Sequence, residues 1–260
     1  MRPWPWDWSP EMALPLNRGQ LYFLLQLLLL GLLVGLACWP LNLVDHVQDL
    51  LLQQLPNFAG GAWTLQGLAI ALAPVLVMPA LLWLQAGPWA RGAGSGIPQT
   101  IESLEDPEQA AALMAPFATV ARLCLWSAAS LALLPLGREG PVVQLGAAMA
   151  HGLRQRFPRL LAKLSTQSLM AIGAGAGLAG GFNSPLMGAV FVVEELTGRF
   201  QTAVLWPAVV VCSAAALVSN LAGTPLFTLG MVQSTQPEWQ QLLWALPVGV
   251  GGGLLGGLFS

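Results

Sequence analysis

The sequence predicts an all-α, polytopic membrane protein with broken and re-entrant helices, and three observations predict it. First, 55% of the 260 residues are hydrophobic and only 8% are charged, with a mean hydropathy of +0.66. A soluble domain carries about a quarter charged residues. Second, the charges are clumped: none falls between Arg18 and Asp45, Asp49 and Arg91, Glu139 and Arg154, Lys163 and Glu194, or Arg199 and Glu238. Several of these gaps reach the roughly 20 residues that a spanning helix needs. Third, three Gly–Pro segments, GSGIPQ, GREGP and GGFNSP, stand at or inside membrane-length apolar runs.

Taken in order, residues 1–19 open with MRPWPWDWSPEM, whose indole rings suit a membrane surface and whose composition equally suits a disordered tail. The first long helix is expected from Gln20 to Val44. It is too long for the apolar core of a signal peptide, and acids and bases are mixed before it, so it reads as a retained span. A second span covers Trp63 to Leu84. ARGAGSGIPQ is a glycine-rich break, and the acidic IESLEDPEQ after it reads as one short helix. A third apolar segment runs from Ala115 to Leu134. GREGP interrupts the run, and PVVQLGAAMAHGL resumes helical spacing.

The stretch HGLRQRFPRLLAKL holds Arg154, Arg156, Arg159 and Lys163 without an acid, which places it on the cytoplasmic side. SLMAIGAGAGLAGGF reads as a close-packing helix face of small residues. PLMGAVFVVEELTGRF is a shorter helix, and two further spans are expected at Thr202–Leu221 and Trp239–Phe259. Cys38, Cys124 and Cys212 lie far apart in apolar runs, so neither a disulfide framework nor a metal cluster is indicated. His46 and His151 are isolated, no cofactor is expected, and a net charge of −2 gives no nucleic-acid surface.

The breaks carry the chemistry. Glycine lets the backbone turn or approach a ligand closely, and proline suits a helix's first turn. Each segment therefore opens a helix partway through the bilayer, where irregular backbone survives only if buried in protein or lining a wet cavity. Helix N-termini present free N–H groups and partial positive charge, and transporters build binding sites from such half-helices. The physical inference is an anion pathway. Ser95, between Gly94 and Gly96, offers a hydroxyl donor. Glu139 precedes a helix start, so its carboxylate would occupy an anion site when ionised and leave when protonated. Arg138 balances buried charge or draws in anions. Glu194 and Glu195 end an apolar run, and an acid on the inward face of a membrane helix is a candidate proton carrier.

GSGIP at 94–98, GREGP at 137–141 and GFNSPLMGAVFVVEE at 181–195 resemble, in order and spacing, the motifs of the CLC family of chloride channels and chloride/proton antiporters. The resemblance covers the chain from about Gln20 to the end. It implies a homodimer with one anion pathway per subunit, each subunit built from two inverted-topology halves. Residues 20–236 correspond to the first helical repeat and 237–260 to the truncated start of the second. By resemblance, Gly94, Ser95, Gly96, Ile97 and Pro98, with Gly137, Arg138, Glu139 and Gly140, surround chloride. Glu139 is the gating glutamate that exchanges protons with the outside, and Glu195 serves protons from the cytoplasm. Serine in GSGIP goes with chloride preference, where nitrate-selective members tend to have proline. Glu195 favours antiport over the alternative of a channel, and the expected location is a bacterial inner membrane.

One departure stands out. The family's second half supplies a GxFxP segment and a tyrosine at the chloride site, whereas the only tyrosine here is Tyr22. The cytoplasmic nucleotide-binding domains of some members do not appear either. The chain is accordingly expected to continue past Ser260 or to join a larger assembly; otherwise it is a non-transporting half-fragment. An enzyme is not expected. An intramembrane serine protease needs a GxSG motif and a histidine base, and Ala93 stands two residues before Ser95 with no pairing for His151.

Overall fold

The computed structural model describes residues 17–56, 62–198, 200–221 and 239–259, which form helices and no strand. Most of the segment expected at 1–19 lies outside the described residues. The chain forms two units, Met1–Leu226 and Phe227–Ser260.

In the first unit, helix α1 (Arg18–Leu52) opens on a reciprocal cap. The Gln20 N–H donates to Asn17 Oδ1 at 2.8 Å and the Asn17 N–H to Gln20 Oε1 at 3.0 Å. Its 35 residues make a rod of about 52 Å. It runs two turns past the expected end because its polar tail finds partners inside the fold. Asp45 pairs with Arg138, and Gln48 accepts from the Ser130 hydroxyl at 3.0 Å. Helix α2 (Leu65–Ala86) starts at Thr64, whose hydroxyl accepts from the Gly67 N–H at 3.0 Å. Its 22 residues cover about 33 Å, close to a hydrocarbon core of about 30 Å. The exposed Trp63 and Trp83 lie near its two ends, where an interfacial aromatic belt belongs.

A 3-10 turn (Ala90–Gly92) leads to α3 (Ile97–Glu105), α4 (Pro107–Leu113) and α5 (Pro116–Leu131). The acidic stretch expected as one helix is two, because Asp106 caps α4. Its carboxylate accepts from Gln109 Nε2 and from the Glu108 N–H, both at 3.0 Å. The Gln109 bond, then the backbone bond, holds this carboxyl below the usual carboxylate range. Helices α4 and α5 meet at a 54° bend. Then follow α6 (Glu139–Arg156), α7 (Thr166–Phe182), α8 (Pro185–Phe191), a π turn (Val192–Leu196) and α9 (Thr202–Ser219). The three Gly–Pro segments thus begin α3, α6 and α8. Among the described residues three helices, α1, α2 and α9, are long and apolar enough to cross a membrane, and the bent α4–α5 pair makes a fourth if it is one span. In the second unit α10 (Trp239–Phe259) is a single helix whose apolar stretch is Ala245–Leu258.

The centre of the first unit is α7. Every residue from Leu169 to Gly181 is buried, so this helix has no free face, as an evenly apolar helix requires. The small residues read as one packing face pack on all sides instead. Where α6 crosses α7 the backbones touch: a Cβ on Gly146 would strike the Gly173 carbonyl, and one on Gly173 the Gly146 carbonyl. Gly31 and Gly35 of α1 admit α9 in the same way, against Val211, Ala214, Ala215 and Val218, the small-xxx-small solution for association without a hydrophobic drive. The basic loop is tied down as well. Arg154 Nη2 donates to the carbonyls of Leu161 and Leu164 at 2.9 and 2.8 Å, and the Leu161 N–H donates to Gln26 Oε1 of α1 at 2.9 Å.

Candidate functional site

GSGIP folds into a turn that only glycine permits at two points. Gly94 has φ +87° and Gly96 φ +116°, a region that L side chains rarely adopt. The turn is closed by Gln99, two residues into α3. Its Oε1 accepts from the Gly96 N–H at 3.0 Å, and its Nε2 donates to the Ala93 carbonyl at 3.4 Å. Ser95 is exposed at the crest, and its hydroxyl has no hydrogen-bond partner among the described residues.

GREGP arrives from α5. The chain leaves that helix through Leu133 at φ +59°, and Trp126 Nε1 donates back to the Gly137 carbonyl at 3.1 Å. Arg138 stands at the N-cap of α6 and turns its guanidinium to α1. There it ion-pairs with Asp45, donates to Asn42 Oδ1 at 3.3 Å, and lies 4.8 Å from the centre of the Phe182 ring. Glu139 is the first helical residue rather than the one before the helix. Its exposed carboxylate folds over Gly137, occupying the space a Cβ there would need. No cation pairs with it among the described residues.

The two breaks then meet. A Cβ on Gly140 would collide with the Ser95 carbonyl, and one on Gly96 with the Gly140 carbonyl. Backbone contact thus sets the starts of α3 and α6 side by side. Both first turns leave N–H groups without intrahelical partners. They border a cleft of about 500 Å³, lined by Gly94, Ser95, Ile97, Gly137, Glu139 and Gly140 and walled by α2 and α5. Gly96, Pro98 and Arg138 were expected at the same place and do not line it. Gly96 holds the contact behind the cleft, and the Arg138 side chain belongs to the α1 network. Glu194 and Glu195 are both exposed on the π turn after α8, away from this lining. The third break, GFNSP, turns through Asn183 at φ +49° and meets the α6 start through Phe182, whose ring lies against Arg138, and through Gly181, which packs against Val142.

Among the cleft residues that sequence reading missed, one carries charge. Arg122, in the middle of α5, lines it and is 3% exposed. Nε donates to the Gly94 carbonyl at 3.1 Å and Nη2 to the Ala93 carbonyl at 2.6 Å. The available signal was a lone cation within an otherwise apolar span.

The sequence profile of the voltage-gated chloride channel family matches residues 73–260, which include all three Gly–Pro motifs. The chain belongs to the CLC family. Among CLC relatives, an H(+)/Cl(-) exchange transporter ClcA of Vibrio cholerae is 36% identical over 127 residues, 48% of this chain and 27% of that protein. The ClcA exchange transporter of Yersinia pseudotuberculosis is 31% identical over 187 residues, 71% of this chain and 38% of that protein. Chloride channel protein D of Dictyostelium discoideum is 30% identical over 146 residues, covering 49% of this chain and 15% of its own length. The matched part therefore spans well under half of these CLC proteins. The crystal structure of a CLC-type fluoride/proton antiporter matches with a TM-score of 0.60 and 24% identity, over 94% of this chain and 57% of that one. That likeness carries the CLC fold.

Proposed function

We propose that this CLC chain contributes the first repeat, residues 20–236, of a chloride/proton antiporter, with 237–260 opening the second. In this reading the protein works as a homodimer in a bacterial inner membrane, with one pathway in each subunit. The observation that carries it is the shared cleft: the unpartnered Ser95 hydroxyl and the Glu139 carboxylate line one space at the paired starts of α3 and α6. A chloride ion entering that space loses water and takes in exchange the Ser95 O–H and free N–H groups of two helix starts. The Glu139 carboxylate is an anion on the same ground and competes for the same donors. Protonation removes its charge and releases it, so one proton opens the way for chloride. Glu195, exposed on the π turn, supplies protons from the cytoplasmic side.

The test is simultaneous recording of chloride and proton flux from the full-length protein in proteoliposomes. Glu139→Gln should pass chloride with no coupled protons, and proton movement preserved in that variant would remove Glu139 as the gate. Glu195→Gln should cut proton movement while chloride still passes; undiminished protons would take Glu195 out of the route. The channel reading draws on the Dictyostelium chloride channel relative. Wild-type chloride flux that never drives protons uphill would establish it instead.

A further inference from the structure

A cation without an acid sits under the cleft. Arg122 is 3% exposed within an apolar helix, and two of its nitrogens hold the carbonyls of Ala93 and Gly94. Its third nitrogen, Nη1, is sealed from solvent with no hydrogen-bond partner among the described residues. Among the described residues the ion pair present is Arg138–Asp45, so no carboxylate neutralises Arg122. A buried, unpaired guanidinium is strongly unfavourable. The anionic group of the protein that shares its cleft is Glu139, which reaches no ion-pair distance from it.

We propose that Arg122 is the fixed countercharge and positioning residue of the anion site, an inference that rests on the cleft carrying an anion as described above. It acts in two ways. The fork formed by Nε and Nη2 pins two successive carbonyls, which aims the Ser95 hydroxyl and the start of α3 at the cleft. The positive charge, sealed beneath the wall, favours any anion above it, whether the Glu139 carboxylate or chloride, through a region of low dielectric. The second effect asks only for a cation, the first for a planar fork that lysine lacks. The two are therefore separable by substitution.

The experiment titrates chloride into the full-length protein by calorimetry and measures chloride-to-nitrate selectivity from reversal potentials in the same preparations. Arg122→Met should weaken chloride binding about tenfold or more. Arg122→Lys should restore most of the affinity yet alter selectivity, since Gly94 and Ser95 are no longer held. Chloride binding by Arg122→Met equal to wild type would overturn the proposal. Should Arg122→Met fail to assemble on gel filtration, Arg122→Lys decides: changed selectivity upholds the proposal, and wild-type affinity with wild-type selectivity overturns it. Wild-type protein that binds no chloride would instead bring down the antiporter reading, an outcome distinct from wild-type binding that neither variant disturbs.

Discussion

Ser95 owes its place to its neighbours. With Gly94 at φ +87° and Gly96 at φ +116°, the turn exposes one hydroxyl and leaves it without a partner among the described residues. Under the antiport reading, Ser95→Pro removes both this O–H and the residue's N–H, and nitrate is less strongly hydrated than chloride. The expected outcome is a shift of preference toward nitrate in reversal-potential measurements; unchanged selectivity would take Ser95 out of the site. That Ser95 and Glu139 would come together, as they do in lining one cleft, was legible in the sequence because each lies inside a Gly–Pro interruption of an apolar run, a local pattern. Arg122 was not, although the same rule of rarity applies to it. Its meaning depends on two carbonyls that precede it by 29 and 28 positions, and nothing local announces that contact. The Arg138 side chain was expected beside the anion, and its direction follows from Asp45, 93 positions earlier.

At the scale of elements, α6 begins where it does because three other helices hold its start. Trp126 of α5 fixes the Gly137 carbonyl, Asp45 and Asn42 of α1 fix Arg138, and the ring of Phe182 at the end of α7 lies under the same guanidinium. Removing one partner of such an ion pair leaves the other uncompensated. Asp45→Ala should therefore cost about 3 kcal/mol of stability, read as a lowered midpoint in thermal or denaturant unfolding in detergent. Combining it with Arg138→Met should recover part of that loss. Strict additivity of the two single effects would show that the pair is not coupled. Helix existence was well anticipated from apolar runs and proline positions, as were the bounds of α10 and the start of α9, but the end of α1 and the division of the acidic stretch were not. The first helix was expected to stop at Val44 and continues to Leu52, since hydropathy ends where the polar residues begin while hydrogen bonding does not. The acidic stretch divides at Asp106 because a capping carboxylate outweighs continuity of composition.

For the molecule as a whole, α7 is the post around which the first unit is built, with buried residues without interruption from Leu169 to Gly181. Its crossing with α6 leaves no room for a single methyl group at Gly173. Gly173→Ala should destabilise the protein by about 2 kcal/mol, and an unchanged unfolding midpoint would contradict backbone contact at that crossing. The run GAGAGLAGG signalled close packing in the sequence. What it could not signal was burial on every side, because glycine and alanine give no hydrophobic contrast from which to read a face.

The Asp45–Arg138 pair also has a history in time. A ribosome releases α1 long before α6, so Asp45 meets the membrane 93 residues ahead of its cation. Until then its carboxylate has no reason to leave water, for an acid at mid-bilayer costs about 2.5–3.5 kcal/mol on insertion scales. The order of synthesis lets the apolar part of α1 enter the bilayer first, while Asp45 waits for Arg138 to be made before the pair can form. The same wait delays the fixing of Glu139, the next residue in the chain. The cleft lined by Ser95 and Glu139 therefore cannot take its form until two charges 93 positions apart have both been made.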